Sequence, residues 1–316
     1  MTDLKRGSYK KRDWVLLFFK GTAMGAADVV PGVSGGTIAF ISGIYERLLN
    51  ALKSLTPMAL TVLFKQGFGA FWRSIDGWFL LTLFSGVIVS ILSFANIIDY
   101  CLHHYPILVW SFFFGLVLAS IVYLFQQTPH WRYQEWLAIA IGTAVALTIS
   151  SLRPAQLPAE WWMMMLSGSI AICAMILPGI SGSFILLLMG MYTTFITAIQ
   201  EMDLLLISSF LAGCVIGLLG FSHLLSWLLK RYESLMYALL IGFLIGSLNV
   251  LWPWKEVHKT VIDRHGELVP LVQTNILPAG YTELTGEPSF VVGSILCALF
   301  GFLLVLLLER IGNIRD

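Results

Sequence analysis

The sequence predicts an all-α polytopic membrane protein of two inverted repeats, each a re-entrant broken-helix hairpin followed by three transmembrane helices. Three observations predict it. The 316 residues are 58% hydrophobic and only 12% charged, with a mean hydropathy of +0.83, against about 25% charged residues in an average soluble domain. Six runs are long and nearly free of charge. A six-residue Pro/Gly/Ser motif occurs twice, each time inside an apolar region and ahead of three of those runs. Such a chain has too little polar surface to cover a soluble globule, which excludes a soluble enzyme and a disordered scaffold. The formal net charge of +1 offers no footprint for nucleic acid.

Residues 1–13 form a basic tail containing Lys5, Arg6, Lys10, Lys11 and Arg12. The apolar run that follows is broken at Lys20 after six residues, short of the roughly 7–15 residues of a signal-peptide core, so the segment is expected to stay in the mature protein. The first repeat covers 14–152. Its hairpin, 14–50, is cut by Pro and Gly into arms of about 14 residues, or roughly 21 Å of helix, too short for a hydrocarbon core of about 30 Å. Residues 54–73 mix apolar side chains with Lys65, Trp72 and Arg73 and read as an interfacial helix. Spans at 78–98, 106–125 and 136–152 complete this half. The second repeat covers 161–309, with a hairpin at 161–200 and spans at 204–229, 235–252 and 290–308. It includes a long loop, 253–289, before the last span. The six spans fit the range of about 17–25 residues, with 204–229 slightly longer and tilted.

Basic residues set the orientation. With the N-tail in the cytoplasm, Lys53, Lys65, Arg73, Arg132, Lys230, Arg231, Arg310 and Arg315 fall inside. Glu201 and Asp203 fall outside, as does the loop 253–289, and Arg153 dissents. Both termini are cytoplasmic. Of the four cysteines, Cys173, Cys214 and Cys297 lie in apolar runs and Cys101 in a short connection. No pair has redox or metal spacing, so no disulfide, metal site or cofactor is expected.

The repeat carries most of the functional information. Pro31-Gly32-Val33-Ser34-Gly35-Gly36 recurs as Pro178-Gly179-Ile180-Ser181-Gly182-Ser183 at an offset of 147, and Gly43/Gly190, Tyr45/Tyr192 and Ala51/Ala198 keep the register. A half with an odd number of crossings places its second copy upside down, an arrangement from which secondary transporters build a substrate site near the midplane. Pro31 and Pro178 break the helices, and the glycines let a ligand approach the backbone. Amides at the start of the next helix, together with the hydroxyls of Ser34, Thr37, Ser181 and Ser183, suit an anion. Gly32, Gly35, Gly36, Gly179 and Gly182 would belong to the same anion site. The competing reading is two capped kinks that let helices pack closely.

Several charges stand where lipid would penalise them. Asp28 precedes the first break and is matched by Met175 in the second copy; it serves either a coupling role or as a cap or partner for Lys20. Arg47 can hold a phosphate bidentately, while Glu46 beside it can gate, or both can snorkel to the interface. His223 can shuttle a proton or act as a hydrogen-bonded packing residue. Asn96 and Asn249 read as interhelical hydrogen bonders. Gly213-x-x-x-Gly217 and Gly242-x-x-x-Gly246 read as close-packing faces.

The stretch Gly25-Ala26-Ala27-Asp28-Val29-Val30-Pro31-Gly32-Val33-Ser34-Gly35-Gly36-Thr37, continuing to Gly43-Ile44-Tyr45-Glu46-Arg47, resembles the bacterial polyprenyl-phosphate transporter family, long known only as a domain of unknown function. Leu177–Ser183 and the spacing of spans are similar too, so the resemblance extends over nearly the whole chain. It implies a flippase for undecaprenyl phosphate, the lipid carrier of cell-envelope glycans, returning it from the outer to the inner leaflet of the bacterial cytoplasmic membrane. Its partners would be that lipid, membrane lipids and a proton as coupling ion, with self-association left open. Asp28 or Glu46, protonated in one state, would couple the return to a proton. A small-anion channel or exchanger using the same broken-helix site is the alternative. An intramembrane lipid phosphatase ranks last, because the in-membrane histidine is solitary and His103/His104 lack a carboxylate–arginine set.

Overall fold

The computed structural model describes residues 11–29, 34–128, 131–152, 157–262 and 268–313. Its first half comprises α1 (Lys11–Val29), α2 (Gly35–Ile41), α3 (Tyr45–Lys53), α4 (Pro57–Gln66), α5 (Phe68–Ser74), α6 (Gly77–His104), α7 (Pro106–Gln127) and α8 (Tyr133–Ser151). The second half comprises α9 (Trp161–Ile176), α10 (Gly182–Leu188), α11 (Tyr192–Gln200), α12 (Leu204–Arg231), α13 (Glu233–Ser247), β1 (Lys255–Ile262), β2 (Leu268–Asn275), α14 (Pro278–Thr285) and α15 (Val291–Asn313). The chain is an integral membrane protein built mostly of helices. By length and apolarity 77–94, 106–126 and 204–231 can each cross a bilayer; α10 and α11 form an apolar pair bent by 103°, and α9, α13 and 291–307 are shorter apolar helices.

The two halves repeat one construction. The hairpin expected as two arms is three helices in each half, because its return arm breaks again. Gly43 and Gly190 adopt φ +71° and +67°. Behind each, the chain turns back on itself: Gly43 N donates to Phe40 O and Ile44 N to Ala39 O, while Gly190 N donates to Leu187 O and Met191 N to Leu186 O. This is a glycine-terminated helix end whose crossed bonds satisfy the last carbonyls. Both α6 and α12 then run for 28 residues. Each is joined to the next helix by a single tyrosine, Tyr105 at φ −139°, ψ 48° and Tyr232 at φ −134°, ψ 48°.

Packing repeats as well. α1 lies along α6, α9 along α12, α7 along α15 and α8 along α13. Glycine sets the approach at every seam. A Cβ on Gly21 would stand 2.1 Å from Leu83 O, and one on Gly168, at the same repeat register, 2.5 Å from Phe210 O. On α12 a Cβ on Gly213 would stand 1.8 Å from Met165 O and one on Gly217 2.5 Å from Ser169 O; a Cβ on Gly242 would stand 2.4 Å from Ile139 O, on Gly115 1.9 Å from Ala298 O and on Gly301 2.2 Å from Phe112 O. With no hydrophobic drive between helices in lipid, close backbone contact of this kind supplies the packing energy. The outward faces carry exposed Leu92, Leu204, Leu211, Val292 and Phe300, as a lipid-facing surface requires.

Three expectations are corrected. α6 continues through Cys101 to His104, so that cysteine sits on a helix and the connection shrinks to Tyr105. The interfacial segment is two helices, α4 and α5, divided at Gly67 with φ +84°. The loop 253–289 is an antiparallel β1–β2 hairpin followed by α14, anchored by Trp252 Nε1 donating to Ile276 O at 2.9 Å and Trp254 Nε1 to Ser289 O at 2.8 Å.

Gly213→Ala pushes α9 away from α12 and is expected to cost about 1–3 kcal/mol, seen as a lowered thermal midpoint of the purified protein. Gly220→Ala, on the same helix with nothing within 4 Å of the new methyl, is expected to leave the midpoint unchanged or raise it.

Candidate functional site

Two helix interruptions lie where the sequence motifs place them, and they touch. In the first, Ser34 caps α2 with extended backbone (φ −122°, ψ 134°). Its Oγ accepts from Gly36 N at 3.1 Å and donates to Met175 O, at the end of α9, at 2.8 Å. Thr37 Oγ1 accepts from Gly179 N at 2.8 Å, and Tyr45 OH donates to Ile176 O at 3.1 Å. The first motif thus binds backbone groups that the second break leaves without helical partners, and a hydroxyl does the work each time. A Cβ on Gly36 would come within 2.7 Å of both Met175 O and Ile176 O. The absent side chain is what admits the other break.

Asp28, at the end of α1, reaches across its own break. Gly35 N donates to its Oδ1 at 2.6 Å, and a Cβ on Gly35 would meet the carboxylate at 2.5 Å. The amide expected to face an incoming anion is therefore held by an internal one. Lys20 instead donates to Ser42 O at 2.6 Å. Pro31, Gly32 and Val33 lie outside the described residues.

The second break is built differently. Pro178 lies in a turn and Gly179 takes φ +86°, a conformation that suits glycine. Ser181 occupies the cap position of α10 without capping it; its Oγ lies 2.9 Å from Ser183 Oγ. Since either oxygen can donate, one hydroxyl hydrogen of the pair is available to a third group. A Cβ on Gly182 would stand 2.7 Å from Ala171 O. A cavity beside this break is lined by Gly179, Ser181, Ser150, Ser247 and Val250 among others.

The remaining predicted residues lie outside this contact. Arg47 forms a bidentate pair with Asp76, with Nε to Oδ2 at 2.7 Å and NH2 to Oδ1 at 3.1 Å, and its guanidinium lies 4.3 Å from the Phe79 ring centroid. Glu46 accepts from Tyr237 OH at 2.9 Å, and Tyr237 stacks on Phe40 of α2. His223 is exposed and bonded to Leu219 O at 2.7 Å. Asn249 reaches Ser150 Oγ at 3.3 Å and takes two bonds from Asn275. The side chain of Asn96 lies outside the described residues. Tyr45 and Tyr237 were not singled out for function, although the match of Tyr45 with Tyr192 was a signal for the first. Among the described residues, no group of three or more His, Cys, Asp or Glu is placed to hold a metal ion.

Comparison with known proteins adds a family to this geometry. Residues 24–269 match the family described as undecaprenyl phosphate translocase-like. The chain is 46% identical to the polyprenyl-phosphate transporter of Vibrio cholerae over 301 residues, covering 95% of this chain and 98% of that one. It is 30% identical to the polyprenyl-phosphate transporter of Staphylococcus aureus over 260 residues, covering 76% and 86%. No solved structure matches.

Thr37→Val leaves the Gly179 amide without its acceptor and is expected to lower stability by about 1–3 kcal/mol, measured by thermal unfolding in detergent. Thr37→Ser keeps the acceptor and is expected to retain most of it.

Proposed function

The chain belongs to the undecaprenyl phosphate translocase-like family, and on that premise we propose that it carries a polyprenyl phosphate across the bacterial cytoplasmic membrane. The net direction is outer to inner leaflet, returning the carrier for envelope glycan synthesis, and both termini are cytoplasmic. The observation that carries the reading is the direct contact of the two breaks, Ser34 on Met175 O and Gly179 on Thr37 Oγ1.

The halves 14–152 and 161–309 act as inverted repeats. Three parallels support this: the second break of each hairpin at Gly43 and Gly190, the single-tyrosine joints, and the interchange of packing partners. If α7 corresponds to α13 and α8 to α15, the pair α7–α15 becomes α13–α8, and both pairs exist. An odd number of crossings per half then turns one break toward each side.

A phosphate head carrying one to two charges cannot enter hydrocarbon bare. Its hydration is replaced near the midplane by the Gly35, Gly36, Gly182 and Ser183 amides and by the Ser34, Thr37, Ser181 and Ser183 hydroxyls, with Gly32 and Gly179 keeping the backbone open. The prenyl tail stays in lipid. Asp28 supplies the coupling. Its carboxylate holds the Gly35 amide, so a phosphate has to displace it, and protonation weakens its grip. Proton uptake at Asp28 and phosphate capture are thereby linked, with Glu46 and His223 as further gating groups. Arg47 reaches phosphate only in a state in which its pair with Asp76 opens. The work is translocation, with no bond made or broken. The names of the relatives lend nothing to a small-anion channel.

The test is a leaflet-sidedness assay in proteoliposomes with undecaprenyl phosphate, with and without a pH gradient. Wild type should move the lipid between leaflets. Ser181→Ala with Ser183→Ala removes hydroxyls that bond each other, and should slow transport about 10-fold with the thermal midpoint kept. Wild-type rates in the double variant would count against this site.

A further inference from the structure

Lys255 opens β1 just beyond the end of α13, and its surroundings are unusual for a lysine. The ammonium donates to Val250 O and lies 3.9 Å from the centroid of the Trp110 ring. The rings of Phe114 and Trp252 are 5.9 Å apart, and those of Trp252 and Trp254, the residue before Lys255, 5.6 Å. Among the described residues, no carboxylate lies within ion-pairing distance of it. Burial pushes its pKa down to about 7. A part-buried cation with only a carbonyl and an aromatic face for company is costly, and a counter-charge would relieve that cost.

The place such a charge can come from adjoins it. Val250, whose carbonyl holds the ammonium, also lines the cavity beside the second break, together with Gly179, Ser181, Ser150 and Ser247. That cavity is poor in free donors. Ser150 Oγ donates to Leu147 O at 2.8 Å and Ser247 Oγ to Leu244 O at 2.8 Å, each spent on its own helix. The Ser181–Ser183 pair offers one hydrogen and no charge. An anion reaching this cavity therefore needs a cation from outside its lining, and Lys255, bonded to the carbonyl of the lining residue Val250, offers one on a flexible stem with three donors.

We propose that the cavity between the second break and the ends of α8 and α13 is a phosphate-receiving site, with Lys255 as its cation. On arrival of a phosphomonoester the ammonium exchanges the Val250 carbonyl for phosphate oxygens, and the Ser181–Ser183 hydroxyls accept the head group from it. The β1–β2 excursion is then part of the substrate path. The inference rests on the transporter reading and extends it to a residue outside both motifs.

The experiment uses the full chain in lipid nanodiscs with three probes: undecaprenyl phosphate, undecaprenol, which has the same tail and no phosphate, and inorganic phosphate. On wild type, acetylation of Lys255 by acetic anhydride is followed by mass spectrometry, with Lys65 as an exposed control. Undecaprenyl phosphate should slow labelling of Lys255 about 10-fold, the worth of one charge-assisted hydrogen bond, and undecaprenol should not. Lys255→Gln should weaken binding of undecaprenyl phosphate by about the same factor while leaving undecaprenol unaffected, and Lys255→Arg should restore most of it. Unchanged labelling while undecaprenyl phosphate binds would overturn the role of Lys255 and leave the transporter reading intact. Equal loss of both lipids in Lys255→Gln would overturn it too, by marking a clamp on the fold. Protection by inorganic phosphate without binding of undecaprenyl phosphate would support the phosphate site and overturn the transporter reading.

Discussion

Backbone polar groups that leave a helix inside a membrane protein must find partners within the protein, because lipid supplies none. Two broken helices create that debt twice, and here side chains beside the first break meet part of the second's. The carbonyls of Met175 and Ile176, at the end of α9, are taken by Ser34 and Tyr45, and the amide of Gly179 by Thr37. Gly36 makes the approach possible. The first motif therefore acts as a set of hydroxyls at the right spacing to bind backbone as well as a candidate binder of ligand. In the proposed function a phosphate would compete with these internal partners, so that binding and rearrangement would become one event.

The rest of the molecule holds that contact in place. Four long helix pairs close on glycines that leave no room for a methyl group, which makes the seams rigid and specific. Around the breaks the polar side chains are committed to named partners: Asp28 to Gly35, Arg47 to Asp76, Glu46 to Tyr237. At the first break the Gly35 and Gly36 amides are held by Asp28 and Ser34, and the second carries a hydroxyl pair with a hydrogen to spare. This asymmetry matches the sequence difference between Asp28 and Met175 at equivalent positions.

Much of this was legible in the sequence. Hydropathy placed the apolar runs, and the recurring hexamer placed both breaks, because Pro and Gly act on the backbone locally. The close-packing roles of Gly213, Gly217, Gly242 and Gly246 were readable from their spacing. The second interruption of each hairpin was not read, although Gly43 and Gly190 stood in register; a lone glycine in an apolar run looks the same whether it packs or turns. Pairings across long separations were hidden for a different reason. Arg47 with Asp76, Glu46 with Tyr237 and Lys255 with Trp110 depend on which helices become neighbours, and periodicity carries no record of that. The conformation of 253–289 was left open, because pairing of β1 with β2 is not recorded in local composition.

The account stands on the two breaks entering from opposite faces of the bilayer. Single cysteines at Lys65, after the first hairpin, and at Glu201, at the end of the second, in a background lacking Cys101, Cys173, Cys214 and Cys297, report this directly through labelling of intact cells with a membrane-impermeant maleimide. Modification of Glu201→Cys from outside, with Lys65→Cys reacting only after the membrane is opened, is the predicted result. Both positions reacting from the same side would contradict it.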